Sequence, residues 1–230
     1  MAYDFDKIAR TYDRLNRVMT LCLDCRWRRH AVKEVESREW RVENVLDVAC
    51  GTGDMCLELL KQGYSVTGVD LSEEMMVIAR RKAPEATYLI GNAESLPFEE
   101  ETFDAVTCAF GVRNFVHLEK GLSEMLRVLK PGGRMVILEL ATPDSVVVRP
   151  FYYFYTKCII PWLGSLIAGS REAYTYLPKS IERFPKDDVM VEIFHSVGAK
   201  EITHRKLTFG VCRLYIINKE AAGLSDPYVN

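Results

Sequence analysis

Residues 44–58 read NVLDVACGTGDMCLE, and this stretch constrains the fold more than any other part of the chain. The mainly apolar run Val45–Val48 predicts a buried strand, which breaks at Gly51 and Gly53 before apolar residues recur at helical spacing. Glycines let the backbone approach a ligand closely, and the first N–H groups of a helix point toward it. The pattern therefore predicts a strand, a tight turn and a helix that together cradle a cofactor.

The same turn argues against a dinucleotide as the cofactor. A dinucleotide fingerprint needs a third glycine, and Cys56 occupies that position. A pyrophosphate would also be repelled by Asp54 at the start of the helix. The G-T-G-D turn, with Asp47 four residues before Gly51, instead resembles motif I of class I S-adenosylmethionine-dependent methyltransferases. A cationic sulfonium cofactor meets no such repulsion.

Two polar positions downstream fit recognition of an adenosine group. A second predicted strand, Tyr64–Val69, runs into Asp70, where a carboxylate can accept hydrogen bonds from both ribose hydroxyls. A third predicted strand, Ala86–Ile90, is followed closely by Asn92. Its side-chain amide can contact the adenine edge, together with the next backbone N–H. A plain strand–helix corner would need neither feature.

Composition limits the classes of protein to consider. The chain has 230 residues, of which 48% are hydrophobic, enough for one sizeable core and a single domain spanning 1–230. Its 30 basic and 32 acidic residues give a net charge of −2, which does not favour a nucleic-acid partner. The first twenty residues do not fit a signal peptide, and seven cysteines, an odd number, suit reduced thiols. These features favour a cytoplasmic location, with peripheral contact at the inner face of the membrane left open.

The periodicities predict a Rossmann-like α/β fold with a seven-stranded, mostly parallel sheet, helices on both faces and a C-terminal antiparallel hairpin. An N-terminal helical cap covers about residues 3–38. The later predicted strands begin at Phe103, span Met135–Leu140, and form the hairpin over Glu201–Leu207 and Val211–Asn218.

One segment interrupts this alternation. Val146–Ala168 holds six aromatic residues and only two charges, Arg149 and Lys157. Prolines and charges cut the run into pieces shorter than the ~20 residues that a transmembrane helix needs. Two interpretations remain: a helix packed on the core, or an aromatic lid, extending over about 146–182, that covers a large apolar substrate and touches a bilayer interface.

Over residues 3–218 the chain resembles the menaquinone and ubiquinone biosynthesis C-methyltransferase family. The matching pieces are FDKIA at 5–9, LDVACGTGD at 46–54, GNAESLPF at 91–98, AFGVRNF at 109–115, RVLKPGGR at 127–134, and YTYLPKSI at 174–181. The second and fifth occur in class I methyltransferases generally, whereas AFGVRN and the 174–181 stretch are typical of quinone methylation. One departure is Ala49, where the family has the first motif glycine.

The resemblance implies S-adenosylmethionine as methyl donor and a polyprenylated demethylquinol as acceptor. The sequence shows no metal-binding constellation, so no metal is expected. Together with the turn and strand ends above, the resemblance predicts a donor site made of Gly51, Thr52, Asp70, Leu71, Asn92, Ala93 and Ala109. The most direct expectation is methylation of 2-demethylmenaquinol, and whether the enzyme forms a homodimer stays open.

The chemistry requires placement of a nucleophilic ring carbon ~3–3.5 Å from the activated methyl group. A phenol has a pKa of ~10, so a nearby cation would help to ionise the quinol. Arg113 is the predicted cation, and Asn114 the predicted partner of the acceptor oxygen. The alternative for Arg113 is a structural ion pair. His117 is a weaker candidate for a base, because a lone histidine at a helix start is more often a surface or capping residue.

Three other functions remain under consideration. The nearest are a class I methyltransferase of another phenolic or lipid acceptor, and an enzyme that methylates both menaquinone and ubiquinone precursors. A nucleic-acid methyltransferase fits less well, because the chain has neither a Pro-Cys pair nor an Asn-Pro-Pro-aromatic motif. The third function that remains under consideration is that of a non-catalytic cofactor-binding scaffold.

Overall fold

Seven strands form one mixed sheet in the computed structural model, which describes residues 5–36, 41–160 and 171–221. The strands are β1 Asn44–Val48, β2 Ser65–Asp70, β3 Thr87–Ile90, β4 Phe103–Ala109, β5 Leu129–Leu140, β6 Glu201–Leu207 and β7 Cys212–Asn218. Their order across the sheet is β3-β2-β1-β4-β5-β7-β6. β7 runs antiparallel to both β5 and β6, whereas the pairs among β1–β5 are parallel. The predicted fold class is confirmed.

Eight α-helices flank the sheet within the described residues. They are α1 Ala9–Met19, α2 Leu23–Lys33, α3 Asp54–Leu60, α4 Glu73–Lys82, α5 Leu118–Val128, α6 Val148–Phe154, α7 Arg171–Arg183 and α8 Asp187–Ser196. Helices α2, α3 and α4 pack into one core cluster, and α5 and α8 pack into another. The sheet is therefore covered on both faces.

The central strands are apolar on both sides because both faces are covered. Along β5, Met135 and Ile137 belong to the cluster with α5 and α8, whereas Val136 and Leu138 belong to the cluster with α2 and α3. All four side chains are buried. Alternate side chains of a strand point to opposite faces, which explains why this run shows no polar alternation.

The fifth strand starts earlier than the sequence predicts. It begins at Leu129, directly after α5, rather than at Met135. Leu129 is buried and pairs with Phe103, and the register then shifts before Ala105 pairs with Arg134. The Lys-Pro-Gly-Gly segment therefore forms an irregularity within the strand instead of a separate turn, because the buried Leu129 already pairs with β4.

Helices occur in both segments that the sequence analysis assigned to a cap and a lid. In the cap segment, a short 3₁₀ helix, Phe5–Ile8, precedes α1 and α2. The proposed lid segment contains α6, a π-helical turn Tyr155–Ile159 and α7, and its residues 161–170 lie outside the described residues. In the ranges that the structure describes, no helix is both long and apolar enough to cross a bilayer.

Candidate active site

The strand order reverses direction between β1 and β4, and a cavity opens there at the carboxyl ends of the strands. Such a switch point is where open α/β sheets bind their ligands. The cavity has a volume of about 290 Å³. It is lined by residues from the loops after β1, β2, β3 and β4 and from the N-terminal cap.

The glycine turn after β1 adopts the conformation that the sequence predicts. Gly51 and Gly53 have φ angles of 54° and 81°, in the left-handed region that glycine occupies without strain. Ala49 is also left-handed, with φ of 54°. The position that departs from the family pattern thus keeps a glycine-type conformation despite its side chain.

Asp70 ends β2 and faces the cavity. Its Oδ2 accepts a hydrogen bond from the Gly51 N–H at 2.8 Å, and its Oδ1 accepts one from the Ser72 N–H at 2.8 Å. Burial raises the pKa of Asp70, and these N–H donors oppose that increase. The carboxylate ties the tips of β1 and β2 together, and each oxygen retains a lone pair for a ligand hydroxyl.

Asn92 and Ala93, two residues of the predicted donor site, line the cavity beyond β3. The Asn92 Oδ1 accepts a hydrogen bond from the Glu94 N–H at 2.9 Å, which leaves the amide nitrogen as its donor group. Glu94 in turn accepts hydrogen bonds from the Val116 and His117 N–H groups at 2.7 and 2.9 Å. This carboxylate joins the loop after β3 to the start of α5.

The cap contributes residues to the cavity that the sequence analysis did not assign. Asp6 and Tyr12 both line it, and the Ser72 hydroxyl donates a hydrogen bond to Asp6. Both residues lie in the N-terminal region that carries the FDKIA piece. That family-like piece was the available signal, but no spacing rule predicts that a separate helical segment will reach the ends of β2 and β4.

Thr52 is turned away from the cavity toward the cap. Its buried hydroxyl donates a hydrogen bond to Asp13 Oδ1 at 2.5 Å and accepts one from Lys82 Nζ at 3.1 Å. Lys82 Nζ also lies 2.5 Å from Asp13 Oδ2 and 2.7 Å from Asp54 Oδ1. Among the predicted donor residues, Thr52 is thus the one that does not line this cavity.

Asp54 links these charged side chains, Asp13 and Lys82, to the cap helices α1 and α2. Asp54 Oδ2 lies 2.7 Å from Arg17 Nη2 and 3.5 Å from Arg28 Nη1. Both arginines also contact the buried Asp24. Burial opposes the charge on Asp54, but Arg28 and Lys82 outweigh it and lower the pKa of this carboxyl. The Asp54 carboxylate, which argues against a pyrophosphate ligand, therefore holds α1 and α2 on the glycine turn.

Arg113, which was predicted to be a cation near the acceptor, does not line the cavity. Its Nη1 lies 2.5 Å from Glu139 Oε1 and donates to the Phe110 carbonyl at 2.6 Å. Both charged side chains are buried, and Glu139 raises the pKa of Arg113 against the opposing effect of burial. The geometry matches the structural ion pair that was the alternative for this residue. Its Nε is buried and has no hydrogen-bond partner among the described residues.

Asn114 does line the cavity, and α7 holds its side chain. The Tyr176 hydroxyl donates a hydrogen bond to Asn114 Oδ1 at 2.7 Å, and the amide nitrogen lies 3.4 Å from the Phe110 carbonyl. Tyr176 and Tyr12 both lie close enough to contribute to the raised pKa of Arg113. The lid helix, the cap and the loop after β4 therefore converge at this end of the cavity.

The remaining candidates lie outside the cavity. His117 is exposed at the start of α5 and does not line it. All seven cysteines are free thiols, including Cys22 and Cys25, whose spacing is that of a C-x-x-C motif. Across residues 5–36, 41–160 and 171–221, no group of three or more His, Cys, Asp or Glu side chains is arranged to hold a metal ion.

Solved structures of low sequence identity share the fold. A SAM-dependent methyltransferase from Thermotoga maritima, titled a possible histamine N-methyltransferase, has a TM-score of 0.66 at 20% identity, covering 94% of this chain and 100% of that one. A protein from Methanococcus maripaludis, titled a putative S-adenosyl-L-methionine-dependent methyltransferase, also gives 0.66 at 17% identity, covering 97% and 98%. At these identities the likeness establishes the architecture.

Curated relatives are much closer in sequence. A protein named demethylmenaquinone methyltransferase from Bacteroides fragilis is 43% identical over 225 residues, covering 94% of this chain and 90% of the relative. One named ubiquinone/menaquinone biosynthesis C-methyltransferase from Geobacter sulfurreducens is 44% identical over 220 residues, covering 92% and 85%. A family sequence model also matches residues 2–219. With the glycine turn, Asp70 and Asn92 gathered at one cavity, this near-complete match means that the chain belongs to the ubiE/COQ5 methyltransferase family.

Proposed function

We propose that this enzyme transfers a methyl group from S-adenosylmethionine to a ring carbon of a polyprenylated demethylquinol, with 2-demethylmenaquinol as the first candidate. The observation that carries the proposal is the cavity at the switch point, where Gly51, Asp70 and Asn92 from three loops meet Asn114. The printed names of the relatives support the acceptor class. Their double name also supports a benzoquinol as a second acceptor.

The donor occupies the side of the cavity next to β1, β2 and β3. Asp70 accepts hydrogen bonds from the ribose hydroxyls, while the Asn92 amide and the Ala93 backbone contact the adenine. Leu71 and Ala109 contribute to the walls around it. The carboxylates of Asp6 and Asp70 also favour a cationic ligand, because opposite charges attract strongly where water is partly excluded.

The acceptor lies at the side lined by Asn114, Phe115 and Val116. The Asn114 amide nitrogen donates a hydrogen bond to the acceptor oxygen next to the reacting carbon. Arg113 and Glu139 form a nearly neutral pair behind this loop, so Arg113 acts mainly by holding Asn114 and the Phe110 carbonyl in place. Its positive charge assists quinol ionisation only to the extent that Glu139 leaves it uncompensated.

The oxidation state of the acceptor tests the mechanism. A quinol can lose a proton and become a carbon nucleophile, whereas a quinone has no ionisable hydroxyl and an electron-poor ring. Under anaerobic conditions, a short-chain demethylmenaquinol should be methylated with labelled S-adenosylmethionine, and the corresponding quinone should not. Equal labelling of both forms would reject the mechanism, and labelling of neither would reject the acceptor. A parallel reaction with the demethylated benzoquinol decides whether the enzyme has a second substrate.

A prenylated acceptor dissolves in lipid, so peripheral contact with the inner face of the membrane is part of this proposal. The aromatic lid then covers the acceptor while its outer face meets the bilayer. Hydrogen exchange in residues 146–160 should slow on addition of a prenylated acceptor more than exchange in the sheet does. Unchanged exchange in this segment would remove the lid from the proposal.

A further inference from the structure

An aromatic side chain is displayed at the tip of the C-terminal hairpin. Phe209 is 81% exposed, and it lies in the turn between β6 and β7. Thr208 and Phe209 have φ angles of 47° and 55°, an unfavourable conformation for residues with side chains. The Trp27 Nε1–H donates a hydrogen bond to the Thr208 hydroxyl at 2.8 Å, which anchors the turn to α2. The fold thus maintains a strained turn that holds a phenyl ring in solvent.

The helix after β5 presents a second group of exposed apolar side chains. Val147, Phe151 and Phe154 are spaced by four and three residues, so they share one face of α6. Phe151 and Phe154 are 74% and 61% exposed. The next turn faces the protein instead, because the Tyr155 hydroxyl donates to the Met19 carbonyl at 3.2 Å. The helix is therefore docked on the cap and keeps its phenylalanines outside.

The hairpin tip and α6 are neighbours. Asp144, just before α6, lies 2.7 Å from Lys206 Nζ in β6 and 2.7 Å from Arg213 Nη2 in β7. The hairpin tip also lies beside the carboxyl end of β5, since Leu140 pairs with Cys212. We refer to Val146, Val147, Phe151, Phe154 and Phe209 as the apolar edge.

The apolar edge lies on the same side of the sheet as the cavity. The carboxyl ends of parallel strands meet at one edge. The cavity is built from the loops after β1 to β4, and α6 follows β5. Two cavity-lining residues, Leu71 and Val116, are themselves exposed hydrophobics on this side. A surface that contacted the apolar edge would therefore face the mouth of the site.

The charges around this edge favour an anionic surface. Residues 145–160 contain Arg149 and Lys157 and no acidic residue. The basic side chains of the hairpin are already paired with acids, Arg205 with Glu34 and Lys206 with Asp144, so the excess of positive charge comes from residues 145–160. Exposed phenylalanines among basic residues are typical of segments that lie in the headgroup region of an anionic bilayer. A lone ring on a protruding turn also suits insertion between lipids better than packing against a second copy of the chain, which needs ~800 Å² of surface from each partner.

We propose that the apolar edge is a bilayer-docking surface, with Phe209 and the outer face of α6 inserted among anionic lipid headgroups. Docking in this orientation brings the cavity mouth to the membrane, where the prenylated acceptor of the proposed function resides. The docking itself does not depend on that function, and it can be measured without substrate.

The test is co-sedimentation of the full chain with vesicles of equal parts phosphatidylcholine and phosphatidylglycerol. The double variant Phe151→Ser/Phe209→Asn should lower the vesicle partition coefficient at least about tenfold, because it removes two apolar side chains from the interface. Asparagine tolerates the left-handed conformation, so position 209 should not lose stability. Val77→Gln, on the partly exposed side of α4, is the matched control and should bind like the parent. Pure phosphatidylcholine and high salt should both weaken binding by the parent protein.

Unchanged vesicle binding by the double variant would overturn the proposal. It would also be overturned if sedimentation in lipid-free buffer showed that the double variant dissociates a dimer that the parent forms. Activity separates this proposal from the previous one. The single variant Phe209→Asn, which lies outside the lid, should methylate a short-chain demethylquinol in solution like the parent, but lose activity on a long-chain acceptor held in vesicles. A parent that binds vesicles but methylates neither acceptor would contradict the proposed function alone.

Discussion

Arg113 Nη1 and Glu139 Oε1 lie 2.5 Å apart in a buried ion pair that joins the loop after β4 to β5. Glu139 also accepts hydrogen bonds from the Leu140 N–H at 2.8 Å and the Arg113 N–H at 3.2 Å. The acid therefore holds both the side chain and the backbone of the residue before Asn114. The proposed role of Asn114 therefore predicts that stability and catalysis are coupled here, because the contact that fixes the fold also fixes the loop that carries Asn114.

Arg113→Ala should lower the free energy of unfolding by about 3–5 kcal/mol, since it leaves Glu139 buried without a counter-charge. The double variant Arg113→Met/Glu139→Gln should recover a large part of that loss. Urea unfolding of the three proteins measures both effects. If the single variant lost less than about 1 kcal/mol, the pair would not be structural, and a turnover defect would then belong to the charge of Arg113 itself.

Asp70→Ala should weaken S-adenosylmethionine binding by about 1–3 kcal/mol, because the ribose hydroxyls and two backbone N–H groups lose a charged acceptor. Calorimetric titration of the donor gives the affinity. Asp104→Asn is a suitable control, since Asp104 also accepts backbone hydrogen bonds, from Glu43 and Asn44, but lies at the start of β4 and outside the cavity. Equal losses in the two variants would indicate a general effect on the sheet.

Asp47 should make the protein less stable as the pH rises. Burial raises its pKa from 3.8 to about 7, although the Thr107 and Cys56 side chains donate hydrogen bonds to it. Between these two values the folded state retains a proton that the unfolded state has lost. The free energy of unfolding is therefore unaffected by this group below about pH 4. It then falls as the pH rises to about 7 and is constant above that value.

Asp47→Asn should remove that dependence. Relative to the parent, the variant should gain stability between pH 5 and pH 8 by at most about 3 kcal/mol, since each of the two pKa units between pH 5 and about 7 contributes ~1.4 kcal/mol. Urea unfolding at both pH values gives the difference. A stability difference that does not change with pH would show that Asp47 titrates normally.

Tyr176→Phe should reduce turnover about 2–10-fold by removing the hydrogen bond to Asn114 Oδ1, which is worth ~0.5–1.5 kcal/mol. The donor affinity should stay unchanged, because Tyr176 does not line the cavity. Single-turnover rates and donor titrations on one preparation separate the two quantities. Tyr153→Phe, on the neighbouring helix α6, provides a control for loss of a lid hydroxyl.

Lys82→Met should loosen the N-terminal cap, because Asp13 and Asp54 then lose the ammonium that lies between them. Hydrogen exchange over residues 9–19 should become faster, and the donor should dissociate faster, since Asp6 and Tyr12 line its cavity. Lys61→Met removes an exposed ion pair with Glu58 and should change neither rate. A cap that keeps its protection in Lys82→Met would show that apolar packing alone holds it.

The sequence by itself determined the order of the elements and the ends of the strands that build the site. Gly51, Asp70, Asn92 and Ala109 follow or end predicted strands, and a parallel sheet must bring the carboxyl ends of its strands to one edge. Local pattern was sufficient here because each of these residues takes its place from its own strand. The hairpin was equally predictable, since two extended runs with few residues between them can pair only in antiparallel fashion.

Only the tertiary structure decided which partner each polar side chain takes. Thr52 and Arg113 lie at the positions that the motifs predict, yet their side chains turn to Asp13 and Glu139, which are 39 and 26 residues away. Asp6 lines the cavity because a separate helical segment packs over the ends of the strands. Buried charges must be compensated by whatever group the fold brings near, and that choice depends on the packing of distant segments, which no local spacing encodes.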